Sequence, residues 1–333
     1  MGVKTLPTRV RRTHPGFLAF GLALVLLGLW CARSLLYDTF TLAALPLIWH
    51  RHHRSFYISA RHDDFDVTFE KYDIHQTSAA PYPDRVPPVL HHISLGSGAA
   101  THSKWSEVRQ SCLDMHPDWD AHLWTDESAD KLVSEHFPEF YEMWTNYRYP
   151  IQKIDALRYM VLYRYGGVVL DMDLQCKRAF GPLRRFEFVA PAAHPTGFSI
   201  GFMMASQGNE YVGKLVKNLD RYNRHWLGLP YPTVMFSTGC HYASTIHAFQ
   251  SNRTELKILA GPRENRRLHS LNGPVSTPIF NHLGSSSWHS YDAAMIVGLG
   301  KTHGWKLPLA FVAGVACAFF VIRRTKRRAM LRV

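Results

Sequence analysis

The chain has 333 residues, is 46% hydrophobic and 19% charged, and carries five cysteines and a formal net charge of +12. Disorder needs low hydrophobicity with high charge, and a stapled mini-scaffold needs denser cysteine, so both are excluded. The length is enough to bury one large core or two modest ones.

The charge is unevenly placed. Lys4, Arg9, Arg11 and Arg12 lie in residues 1–12, and Arg323, Arg324, Lys326, Arg327, Arg328 and Arg332 lie in residues 323–333, with no acid in either tail. Subtracting them leaves 28 basic and 26 acidic groups in the other 310 residues. A nucleic-acid-binding body needs a basic face, so no nucleic-acid partner is expected.

Beside each tail runs an apolar stretch of sixteen uncharged residues, Phe17–Ala32 and Leu307–Ile322. Each would cover roughly 24 Å as a helix, just short of a ~30 Å hydrocarbon core, and flanking apolar residues extend it. The first would also fit a cleaved signal peptide, and the second a buried core helix; the RRTKRR cluster after the second is a stop-transfer pattern. With the positive-inside rule, the expected order is a cytosolic tail (1–16), an anchor (17–36), a stem (37–85), a catalytic domain (86–300), a second anchor (305–322) and a cytosolic tail (323–333). The body would then face the lumen of the endoplasmic reticulum or Golgi. Thr39–Trp49, broken by Pro46, reads as an interfacial or stem segment.

Two body features suit a lumen. Asn252-Arg253-Thr254 is a glycosylation sequon. Cys112, Cys176 and Cys240 allow at most one internal disulfide, and their spacing favours small buried hydrophobes over a zinc site.

From residue 86 the pattern is α/β. Pro87–Ile93 reads as a short buried strand, Ser103–Met115 as a helix, and Asp120–Trp124 as a second strand. Short helices are predicted at Ser128–His136 and Glu139–Asn146. Ile151, Ile154, Leu157, Val161 and Leu162 then repeat at helical spacing behind Pro150, and Gly166-Gly167 ends the helix. Val168–Leu170 follows as a buried strand with Asp171-Met172-Asp173 at its carboxyl end, where α/β sheets bind ligands. Further strands are predicted at Phe188–Ala190, Ile200–Ala205 and Leu256–Leu259, with a helix from Asn209 to about Arg224.

Two carboxylates two apart on a strand point to one face and can share a hard cation such as Mg²⁺ or Mn²⁺. Such an open site needs a further partner, typically a diphosphate. Asp155 and Arg158, three apart, share a helix face. An aspartyl-phosphate phosphatase also places DxDx[TV] after an apolar strand, but Gln175 breaks that pattern.

IDALRYMVLYRYGGVVLDMDL resembles the DxD sugar-binding region of the Och1-like, family 32 glycosyltransferases. VPPVLHHISLG resembles that family's opening strand, WDAHLWTDE its second strand, and GSSSWHSYD its Gly-Ser-Ser-Trp-His segment. The resemblance implies a single GT-A (Rossmann-like) domain flanked by two transmembrane helices, retaining chemistry, GDP-mannose as donor and Mn²⁺ or Mg²⁺ as metal. It implies catalytic roles for Asp155, Arg158 and Asp173. It implies donor contacts at His91, Asp155, Arg158, Gly167, Asp171, Ser287 and Trp288. Asp171, Asp173 and His289 are the implied metal ligands. His92 stands where the family has Gln, and Cys240 stands for Pro in a Thr-Gly-Pro-like loop. Two anchors with a basic C-terminal tail look most like the fungal branch that makes mannosyl-inositol-phosphoceramide. The expected acceptor is therefore the membrane lipid inositol phosphoceramide, with a regulatory membrane subunit as partner. An N-glycan mannosyltransferase and a catalytically silent membrane subunit are the competing expectations.

Overall fold

The computed structural model describes residues 15–96, 103–226, 228–285 and 288–303. The expected second anchor (305–322), the tail after it and most of the first tail lie outside the described residues.

In chain order the elements are α1 Pro15–Phe56, α2 Ala60–Asp63, β1 Val89–Ile93, α3 Ser103–Met115, β2 Asp120–Trp124, α4 Asp126–His136, α5 Pro138–Thr145 and α6 Pro150–Tyr165. Then come β3 Gly167–Leu170, β4 Leu174–Cys176, β5 Phe188–Pro191, β6 Phe202–Ala205, α7 Glu210–Tyr222, α8 Pro230–Ser237, α9 Cys240–Ala248, β7 Leu256–Leu259, β8 Val275–Ser276, β9 Phe280–His282 and α10 Tyr291–His303. The predicted helix 103–115 and the strands 120–124 and 256–259 are found with those bounds. The others shift by a few residues.

The main sheet is mixed, in the order β2-β1-β3-β6-β5-β7. β1 pairs in parallel with β2 and β3, β5 with β7, and β6 runs antiparallel between β3 and β5. Five of the six strands therefore end on one edge. Alternation along the strands feeds two cores. Val169, Phe188, Ala190 and Met203 face one side with α1, α4–α7 and α9, while Val168, Leu170, Val189 and Phe202 face the other with α3 and the 58–69 segment. Burial on both faces is why these strands read as unbroken apolar runs. A second sheet, β4-β9-β8, stands beside the end of β3. Its strands of two or three residues are too short to leave a periodic signal.

The segment 37–85, expected as a stem, is folded onto the domain. Along α1, Asp38, Thr41, Leu45, Trp49 and Phe56 are buried at helical spacing. Trp226 Nε1 donates to Asp38 Oδ2 at 2.8 Å, and Thr41 Oγ1 lies 3.0 Å from His241 Nε2. Burying Trp49 and Phe56 is worth about 1.5–3 kcal/mol each, which a solvated stem would forgo. Phe65, Val67 and Phe69 enter the second core. Among the described residues no single helix is long and apolar enough to cross a membrane. The two stretches Phe20–Trp30 and Ala32–Phe56 of α1, bent by 56°, pass that test together.

The cysteines also depart from expectation. Cys112 and Cys176 form a disulfide that ties α3 to β4, only three residues past Asp173, and Cys240 is free. The partners are 64 residues apart, so spacing alone gave no sign of the bond.

Buried histidines fix how the fold responds to acid. Trp124 Nε1 donates to His91 Nδ1 and Phe180 N donates to His116 Nε2, so each ring must keep one nitrogen unprotonated. Burial pushes His91, His116, His241 and His269 down to about 4, and His92 and His247 down to about 3. The unfolded chain, with histidines near 6.5, takes up these protons first. Stability is then full above pH 6.5 and falls as pH drops toward 4, by up to about 1.4 kcal/mol per pH unit for each histidine. Melting temperature should be flat from pH 8 to 7 and fall steeply below 6.5. A flat profile down to pH 4.5 would contradict this.

Candidate active site

The site forms where α6 and β3 meet the ends of the sheet. Pro150 starts α6, and Gly166 and Gly167 turn it into β3 with φ of +67° and +91°. L side chains rarely adopt these values, and glycine adopts them freely. At 167 a Cβ would also lie 2.5 Å from the carbonyl oxygen of Val89 on β1. The turn thus sets β3 against β1 and brings Asp171 and Asp173 out at the strand end, beyond α6.

Asp155 and Arg158 both point from α6 into this end and are buried. Arg158 Nη2 holds Asp171 Oδ1 at 2.6 Å, and Nη1 donates to the carbonyl of Ile200 at 3.3 Å and lies 3.6 Å from Asp155 Oδ1. Arg158 Nε finds no partner among the described residues. Burial opposes the Arg158 charge, but Asp171 and Asp155 outweigh it and raise its pKa. Burial lifts Asp155 to about 7, opposed by Arg158 and by the hydrogen bond from Thr238 Oγ1 at 3.0 Å. Burial likewise raises Asp171, against the pull of Arg158.

Asp173 is held differently. Its Oδ2 accepts from both the backbone N and the Oγ of Ser285 at 2.9 Å, and lies 3.5 Å from His282 Nε2. Burial opposes its charge, yet these donors bring the carboxyl down to about 2, so it is ionised at neutral pH. The side chain of Asp171 is 29% exposed and that of Asp173 9%. One pairs with a fixed cation and the other sits in a cradle of hydrogen bonds. Both remain at the open edge of the sheet.

The structure separates the predicted site residues. Asp155, Arg158, Asp171 and Asp173 come together. Gly167 acts through the turn. His91 is buried beneath that turn, with Nε2 on the carbonyl of Gly166 at 2.9 Å and Nδ1 occupied by Trp124, so it supports the backbone and has no free nitrogen for a ligand. Among the described residues no group of three His, Cys, Asp or Glu side chains could hold a metal ion. His289 packs edge-on against Tyr231 and Trp288. The histidine beside the aspartates is His282. Trp288 stacks on Tyr231 at the start of α8, with ring centroids 5.5 Å apart, and Ser287 lies outside the described residues. Ser285, Thr238 and His282 were missed as site residues. Ser285 and Thr238 sit in the family-like GSSSWHSYD and FSTGC segments, so the motif was the available signal. Nothing local marks His282.

Gly201 constrains the Asp171 carboxylate directly. The Asp171 backbone N donates to the carbonyl of Gly201 at 2.8 Å, and a Cβ at 201 would sit 2.7 Å from Asp171 Oδ2. Gly201→Ala should therefore turn the carboxylate away from Arg158, and because Arg158 is buried this also costs stability. A displacement of about 1 Å costs on the order of 100-fold in rate. Turnover should fall ten- to a hundred-fold, by order of magnitude, with a lower melting temperature as well; a variant of full activity would remove Asp171 from the chemistry.

The sequence profile of the glycosyltransferase sugar-binding region containing the DXD motif matches residues 102–189, which span α3 to β5. Inositol phosphoceramide mannosyltransferase 1 of Schizosaccharomyces pombe is 32% identical over 264 residues, 76% of this chain and 77% of that protein. The chain belongs to the DXD-motif glycosyltransferases. Mannosyl phosphorylinositol ceramide synthase SUR1 of Saccharomyces cerevisiae is 33% identical to this glycosyltransferase, over 73% of this chain and 61% of that protein. The solved PaToxG glycosyltransferase is similar at 16% identity and a TM-score of 0.39, over 52% of this chain and 73% of that one.

Two carboxylates of this kind fit a hard divalent cation, which takes oxygen ligands and fills its other positions with water and substrate phosphates. The orphaned Nε of Arg158 leaves one more donor close by.

Proposed function

We propose that this glycosyltransferase moves mannose from GDP-mannose to inositol phosphoceramide, a step of sphingolipid biosynthesis. The observation that carries the reading is the Asp171–Arg158–Asp155 pairing beside the cradled Asp173, in a chain with a 32% identical relative of that name. Asp171 and Asp173 would hold Mn²⁺ or Mg²⁺, which neutralises charge on a departing diphosphate. Arg158 fixes the orientation of Asp171 and sets a permanent positive charge beside the donor. Ser285 and His282 keep Asp173 ionised and fixed in place. Thr238 aims Asp155 from the loop before α9. Retention of configuration would follow if the acceptor hydroxyl approaches from the face that the diphosphate leaves.

The exposed apolar run of α1 and the basic tails support a two-pass protein of the Golgi or endoplasmic reticulum membrane, with the domain luminal and both termini cytosolic. A regulatory membrane subunit fits the same reading. The test is chelation. Transfer should vanish when the purified full chain is treated with a divalent-metal chelator and return with Mn²⁺. Undiminished transfer in excess chelator would overturn the metal-bridged arrangement.

A further inference from the structure

A groove of about 1760 Å³ lies apart from the aspartates, between the C-terminal end of α1, residues 58–68, the loop after β5 and the turn after β7. None of Asp155, Arg158, Asp171 or Asp173 lines it. Its rim carries Arg54, Arg61, Arg263, Arg266 and Arg267, all exposed. None of the five has an ion-pair partner among the described residues. The acids of the groove are largely engaged elsewhere. Asp63 holds Lys257 at 2.6 Å, Asp66 accepts from Thr68 and the backbone of Lys71, and Asp64 accepts from Tyr82. Among the described residues only Asp63 of these acids has a cation partner, so Asp64, Asp66 and Glu255 stand against the five rim guanidinium groups, which leaves an excess of positive charge. Unpaired arginines gathered around one concavity favour an anionic ligand, and the planar guanidinium fork matches phosphate oxygens in pairs.

The groove runs along the outer strand β7: Arg185, Phe186, Thr254 and Glu255 line it at the far edge of the sheet, and the loops after β5 and β7, with Arg263, Arg266 and Arg267, line it at the active edge. β3, β5 and β7 end on that edge with β6 between β3 and β5, so the ends of β3 and β5 are about 10 Å apart. A short path of contacts joins the two places. Asn272 exchanges hydrogen bonds of 2.7 and 2.8 Å with the backbone of His194 on the groove wall. The next residues, Gly273 and Pro274, press on Gly284, which precedes the Ser285 that holds Asp173.

Helix α1 relates the groove to a membrane. Its two stretches meet at 56°, and the second docks on the domain through Asp38, Thr41, Leu45 and Trp49. Away from that face it exposes Leu36, Phe40 and Leu47, the last 75% exposed, in continuity with the apolar run of the first stretch. A helix buried on one side and apolar on the other is suited to lie along a lipid surface. The groove opens at the end of this helix.

We propose that the groove holds the phosphodiester head group of a membrane lipid, with the second stretch of α1 lying along the membrane beside it. This deepens the mannosyl-transfer reading, on which it rests for the lipid's role as acceptor, by placing the acceptor's phosphate two strands from the aspartates. The experiment titrates the detergent-purified full chain with water-soluble dioctanoyl phosphatidylinositol, with phosphate-free dioctanoylglycerol and with inorganic phosphate. Two variants are compared, the triple R263Q/R266Q/R267Q and the double R54Q/R61Q, whose exposed side chains leave the fold intact. Each should weaken phosphatidylinositol binding at least tenfold while GDP-mannose binding stays the same. Unchanged lipid binding in both variants overturns the proposal, as does equal binding of dioctanoylglycerol. Inorganic phosphate binding as tightly as the lipid would assign the groove to a free anion and overturn the lipid source. Binding is read without turnover. Lipid binding with no transfer would fault the mannosyl-transfer reading alone, and transfer with unchanged binding would fault the groove alone.

Discussion

Asp173→Asn is expected to lower transfer by about 10²–10³-fold, the usual cost of removing one group placed to stabilise developing charge. The substitution keeps the shape of the side chain and one oxygen for Ser285, so the β3–β4 turn persists. It loses the negative charge that Ser285 and His282 hold ionised, with the carboxyl near 2. An amide is a poor ligand for a hard cation at a site with only two carboxylates. The variant should fold with an unchanged far-ultraviolet dichroism spectrum, and its turnover should recover little at high metal. Wild-type turnover in this variant would place the chemistry elsewhere. Ser285→Ala should give a smaller loss, because it removes one of two donors to the same oxygen while the backbone donor stays.

Gly167→Ala is expected to have the largest effect on stability. The residue sits at φ +91°, and an added Cβ would lie 2.5 Å from the Val89 carbonyl, 3.0 Å from the Val89 Cβ and 3.2 Å from His91 Nε2. The nearest neighbour is backbone of the paired strand β1, which cannot move without opening the β1–β3 register at Leu90–Val168. Strain plus this clash should cost about 3–5 kcal/mol, the range reserved for disrupted cores and special backbone positions. The protein should fail to accumulate or should melt far lower. Gly208→Ala is the control, since it has φ +69° but nothing within 4 Å of the added Cβ. It should lose only about 1 kcal/mol. Equal losses in the two variants would show that backbone conformation alone, and not the approach of β1, sets the cost.

Much of the centre of the fold was legible because it is local. Pro150, the helical spacing of Ile154, Leu157 and Val161, the two glycines and the apolar β3 lie within about twenty residues of the aspartates. The pairing of Asp155 with Arg158 could be read from their three-residue spacing. The rest depends on contacts far apart in the chain. Arg158 meets Asp171 only because α6 folds back over β3. Asp173 is held by Ser285, more than a hundred residues later. Gly201 meets Asp171 only because β6 pairs with β3. The docking of α1 was hidden for a different reason. Its buried face, Asp38, Thr41, Leu45 and Trp49, mixes polar and apolar residues, while its outer face is apolar, so composition pointed to a stem or membrane contact. His289 is singled out in the sequence because it belongs to a motif, whereas His282, which lies beside the aspartates, comes from a three-residue strand with no pattern of its own.

The most direct test of the account is transfer itself. The purified full chain is incubated with GDP-mannose, Mn²⁺ and inositol phosphoceramide, and the lipids are read by mass spectrometry, beside an Asp171→Ala preparation of equal fold. The account predicts a lipid heavier by one hexose, with GDP released in equal amount, and neither product from the variant. No hexosylated lipid from the wild-type chain, with mannose added instead to a glycoprotein N-glycan under the same conditions, would contradict it.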